Sequence, residues 1–211
     1  MFSKRNKPYV FRVEHIDTTQ YNRTLDIINT GLKKYPKKLL VNNLNKIYVF
    51  KKIWMQEIRC IGTVCMDSQN IFITNNGYSN SYIEETIHHE FSSILIRNYV
   101  DFFDVEAWEK LNKFEYLDVA GVEALEKKLN PDYDTTSLKK GILCEYSQIN
   151  MHNDINVFAE GIMCNRYFFW DAVKKYPLIR AKAKLFLAFY YKIDPEFKSL
   201  IKMPEWFKLE D

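Results

Sequence analysis

Thr86-Ile87-His88-His89-Glu90-Phe91-Ser92-Ser93-Ile94-Leu95 is the stretch on which the reading of this chain turns. Wound at 3.6 residues per turn, it puts Ile83, Ile87 and Ile94 on one apolar stripe, which Glu90 interrupts. His89-Glu90 is followed by Ser93, where the His-Glu-x-x-His pattern would carry a second histidine. In that pattern two histidines one turn apart grip a Zn²⁺ ion, and the glutamate activates the water bound to it. Neutral serine is a poor zinc ligand, and His88 cannot replace it, because adjacent helix residues point about 100° apart.

A carboxylate on an apolar stripe needs a partner. Burial raises its pKa, which suits a general base, and a neighbouring cation pulls it down. The plain reading of Glu90 is a structural glutamate paired with a lysine, an arginine or a buried amide. The plain reading of His88 and His89 is a pair of hydrogen-bonded core residues.

Around this helix the sequence predicts an α+β order in one domain spanning 1–211, with a strand-rich part over about 9–77 and a helical part over about 81–203. Val10-Phe11-Arg12-Val13-Glu14-His15-Ile16 reads as a strand, and Thr19 to about Tyr35 as a helix. Lys46-Ile47-Tyr48-Val49-Phe50, Thr63-Val64-Cys65-Met66 and Asn70-Ile71-Phe72-Ile73-Thr74 read as strands, with a hairpin turn at Asp67-Ser68-Gln69. Ser81-Tyr82-Ile83-Glu84 reads as a capping box opening the His-Glu helix, which should run to Tyr99. Helical pieces are expected over 107–128 and a loop over 130–134. Further helices are expected from Asn153 to Trp170, with Asn153 or Asp154 as the cap, and from Pro177 to Tyr191.

Composition narrows the function. The 211 residues carry 30 Lys and Arg against 27 Asp and Glu, scattered in pairs rather than in a basic block, which argues against nucleic acid as a partner. No run of about 18 apolar residues spans a bilayer. The opening 1–8 is charged and lacks the apolar core of a secretory signal, so the chain as given reads as cytoplasmic, or as extracytoplasmic if a leader preceded it. Cys60, Cys65, Cys144 and Cys164 include no Cys-x-x-Cys pair, which argues against a zinc ribbon.

Thr86-Ile87-His88-His89-Glu90-Phe91 resembles the opening of the active-site helix in zinc-binding metallopeptidases of the gluzincin type, common in gut Bacteroidetes. Downstream, Gly141-Ile142-Leu143-Cys144-Glu145-Tyr146-Ser147 and Asn156-Val157-Phe158-Ala159-Glu160 resemble that family's glycine-led turn and its second helix, of the form Glu-Asp-Phe-Ala-Glu. The resemblance implies a zincin-like fold, with His89 as the first zinc ligand and Glu90 as the general base. It puts Ser93 and Asn156 at the other two ligand positions, and Glu160 behind the ligands as a supporting carboxylate. Two of three protein ligands are then neutral residues.

The resulting expectation is a metallopeptidase-like protein with an incomplete zinc site that binds a peptide or protein without cutting it. Two other readings stand beside it. One is an active zinc metallopeptidase with remodelled ligands, drawing on His89 with Asp154, His152 or Glu160 and keeping Glu90 as base. The other is an unrelated α+β interaction protein.

Overall fold

A computed structural model describes residues 11–119 and 122–209. The chain is α+β, with helix well in excess of strand. Strand β1 (Phe11–Glu14) leads through a 3₁₀ turn into α1 (Tyr21–Leu32) and α2 (Lys37–Asn43). Five short strands follow: β2 (Lys46–Phe50), β3 (Lys52–Met55), β4 (Ile58–Cys60), β5 (Gly62–Cys65) and β6 (Asn70–Thr74). They form two three-stranded sheets, ordered β1-β3-β4 and β2-β6-β5. The first sheet is antiparallel throughout; in the second, β6 runs parallel to β2 and antiparallel to β5. Strands β2 and β6 coincide with their predicted bounds, and the first strand is shorter than expected, its predicted Val10 lying outside the described residues.

Helix α3 (Asn80–Tyr99) is the central element. Its cap is Ser79, whose Oγ accepts from the Tyr82 amide, so the expected capping box at Ser81 does not form. Glu84, which would have closed that box, instead accepts from Lys34 Nζ at 2.5 Å. Burying Ile83, Ile87, Phe91, Ile94 and Leu95, α3 packs on β5, β6 and α1.

The remaining helices are α4 (Val105–Lys110), α5 (Val122–Glu126), α6 (Thr135–Lys140), α7 (Met151–Met163), α8 (Tyr167–Lys175), α9 (Pro177–Ile193) and α10 (Phe197–Leu200). Helix α7 lies along α3 and buries Ile155, Phe158, Ala159 and Ile162 against it and α9. The cap of α7 is Asn150, which accepts from the Asn153 amide, so neither Asn153 nor Asp154 caps the helix. The single helix expected from Asn153 to Trp170 is two helices, broken at Asn165, which takes a left-handed φ of 50°. Its side-chain oxygen accepts from Trp170 Nε1 at 2.8 Å, and Phe169 folds back onto Gly161, where a Cβ would collide with the ring.

No helix among the described residues is long and apolar enough to cross a membrane. The four cysteines are free.

Candidate functional site

The α3–α7 contact brings the two sequence motifs together. His89, on α3, meets Glu160, on α7, with Nδ1 2.5 Å from Oε1. A carboxylate only accepts, so Nδ1 carries the proton. One turn further along α3, Ser93 faces Asn156, whose Nδ2 donates to Ser93 Oγ at 2.7 Å. Ser93 is itself buried, and its hydroxyl also reaches the His89 carbonyl. The four positions that the sequence links over some seventy residues are thus neighbours in space.

Glu90 lies beside this pair. Burial pushes its carboxyl up to about 7, with His89 pulling down and Glu160 pushing further up. Burial alone would lower His89, but the hydrogen bond and charge of Glu160, the charge of Glu90 and the side chain of Asn153 outweigh it and raise the pKa. Gly62, at the start of β5, allows this close assembly: a Cβ there would run into Thr86 and lie 3.4 Å from Glu90 Oε1.

These side chains open onto a cleft of about 860 Å³. Its walls come from the β4–β5 corner, α3, α7, the segment from Ala124 to Tyr146, and α8. Such a volume is in the range of ligand-binding clefts. Tyr82, Tyr133 and Tyr146 contribute ring surface, and the Tyr146 ring stands 6.1 Å from that of His89. Arg166 closes an ion pair onto Glu85 at the rim. None of these three tyrosines, nor the Arg166–Glu85 pair, carries a sequence signal of its own.

Of the residues considered as replacement ligands, Asp154 is engaged elsewhere. Asp154 is fully buried and accepts from Lys182 Nζ at 2.6 Å, Tyr116 Oη at 2.8 Å and Trp108 Nε1 at 3.0 Å. Burial pushes Asp154 up and Lys182 down, while each holds the other's charge in place. This ion pair accounts for Asp154 as a structural group. His152 sits in the first turn of α7, not in a loop, and burial lowers its pKa.

The donor set does not fit a zinc ion at the His-Glu helix. Zinc selects imidazole, thiolate and carboxylate donors. Here the two other positions hold a neutral hydroxyl and a neutral amide hydrogen-bonded to each other, so the three positions supply one imidazole and no second zinc donor. Among the described residues, one group of three brings metal-binding donors within 4.8 Å of one another, and it is a different one: Glu84, His88 and Cys164.

What the assembly offers chemically is a buried carboxyl, Glu90, able to take up and release a proton near neutral pH beside His89 and Glu160. No protein-family model, curated protein or solved structure matches this chain.

Proposed function

We propose that this chain is a zincin-like relative of the gluzincin metallopeptidases whose hydrolytic centre has been replaced, and that its cleft binds an extended peptide or protein segment without cutting it. The observation that carries the reading is the 2.7 Å hydrogen bond from Asn156 to Ser93. Two positions that the resemblance assigns to zinc ligands are adjacent, as ligands of one metal must be, yet they hydrogen-bond each other as neutral groups. His89 keeps the carboxylate partner, Glu160, that the resemblance puts behind a ligand.

The binding half of the reading rests on the cleft. Strand β5 is an outer strand of its sheet, and Ile61 and Gly62 at its start line the cleft wall. An outer strand offers unpaired backbone groups along which an extended peptide can add. The tyrosine rings opposite supply apolar surface at little conformational cost.

The test is zinc analysis of protein purified without chelators, together with fluorescence-anisotropy binding and cleavage assays on a panel of extended peptides. Saturable binding without cleavage, and no zinc requirement for that binding, is the expected result. Cleavage that requires zinc and disappears in Glu90→Gln would sink the reading.

A further inference from the structure

His88 points about 100° around α3 from His89 and reaches a second polar assembly. Its ring is fully buried. Nδ1 is 2.8 Å from Tyr35 Oη, while Nε2 has no hydrogen-bond partner among the described residues; the nearest carboxylate oxygen, Glu84 Oε1, is 3.7 Å away. That distance is beyond hydrogen-bond reach. A buried ring nitrogen left in this state points at something that should occupy the space beside it.

Two further donors border the same space. Glu84 precedes His88 by one turn of α3, and Cys164 sits at the C-terminal end of α7; with Nε2, their donor atoms all lie within 4.8 Å of one another. We propose that Glu84, His88 and Cys164 form a binding site for one zinc ion, on a face of α3 separate from the cleft.

The chemistry of the three donors selects the ion. Carboxylate oxygen, imidazole nitrogen and thiolate sulfur together suit zinc, whereas magnesium and calcium take oxygen donors. Zinc bonds of roughly 2.0–2.3 Å set tetrahedral donors about 3.3–3.7 Å apart, so the cluster has to contract by about 1 Å through side-chain rotation. When zinc bonds Cys164 Sγ, the thiol proton leaves to solvent. The Tyr35 hydroxyl can accept from Nδ1, which frees the Nε2 lone pair for the metal and fixes the ring in the manner usual for ligating histidines.

Lys34 is the competitor. Its ammonium bridges Glu84 Oε1 and the Met163 carbonyl. The side chain is 28% exposed and borders a hollow of about 360 Å³ that Met163 and Asn165 also line. Withdrawal of the ammonium into that hollow gives an ion both its place and its entry path.

The experiment is titration of the purified protein with cobalt(II), whose thiolate bond has a distinctive absorption band, followed by zinc displacement. One equivalent of cobalt is expected to bind with a thiolate band that zinc abolishes. The band should be absent in Cys164→Ser, zinc affinity should fall by at least about tenfold in Glu84→Gln, the loss that even a group behind a ligand causes, and it should rise in Lys34→Gln. His89→Ala should leave the band intact, which separates this site from the cleft. Absence of the band in the unaltered protein, or its persistence in Cys164→Ser, overturns the proposal; if a variant fails to fold, the result on the unaltered protein decides alone.

Discussion

Asn156 Nδ2 donates to Ser93 Oγ at 2.7 Å, across the contact between α3 and α7. Both side chains are buried. A neutral pair in this place costs far less to bury than the ionised carboxylate that a metal would require, because no charge is taken out of water.

Replacing that pair by zinc donors is the sharpest test of the proposed descent. The double variant Ser93→His, Asn156→Glu is expected to gain one zinc per chain at the cleft. Without zinc it should be destabilised by about 3–5 kcal/mol, the usual penalty for an uncompensated buried charge, and zinc should restore its melting temperature. Equal zinc content in the variant and the unaltered protein, both carrying Cys164→Ser, would count against a decayed site.

Between pH 5 and 8, His89 and Glu90 should make the fold lose stability as pH rises, while His88 and His152, whose pKa values burial lowers, act in the opposite sense below about 6.5. His89 has a raised folded pKa, so its contribution is complete below about 6.5 and is lost as pH climbs through the raised value. Glu90 is pushed up from 4.5 to about 7, so the folded chain holds that proton more tightly, and stability falls from about 4.5 to about 7. The two effects share a sign. Urea midpoints at pH 5 and pH 8 measure the slope, and Glu90→Gln should flatten it; an equally steep slope in that variant would refute the assignment.

Lys182 and Asp154 form a pair with no exposed surface on either side chain. Lys182→Met leaves the carboxylate with only Trp108 and Tyr116 as donors and should cost about 3–5 kcal/mol. Asp154→Leu, Lys182→Met should recover most of that loss. Chemical denaturation of the three proteins reads the difference, and a single variant as stable as the parent would show that the pair contributes nothing.

Gly62→Ala drives a methyl group into Thr86 and close to Glu90. Overpacking of this kind costs about 1–3 kcal/mol. Because the clash falls on the Thr86 methyl, Thr86→Ser in the same chain should relieve part of it, measurable as a partial recovery of the melting temperature.

The strands β2 and β6 and the helices α3 and α9 were legible because each carries a full period of apolar residues. The β3–β4 hairpin was not. Its two-residue turn, Gln56-Glu57, takes φ values of 47° and 68° without the Asn-Gly pair that announces such turns. The break between α7 and α8 escaped for a similar reason: Asn165 supplies the left-handed residue where a glycine would have been noticed. At the site, the places of His89, Ser93, Asn156 and Glu160 followed from the resemblance, while the hydrogen bonds of Glu160 with His89 and of Asn156 with Ser93 were not read from it. The lysine that claims Asp154 did not, since Lys182 lies on α9 and nothing near Asp154 in sequence points to it.

His88 and His89 are consecutive residues, yet one faces Tyr35 and Glu84 and the other faces Glu160 and the cleft. Helix α3 is therefore a partition with a separate chemical compartment on each side. A substitution at Ser93 changes one compartment and leaves His88, Tyr35 and Glu84 in the other untouched, so the two sides of a single helix can change independently.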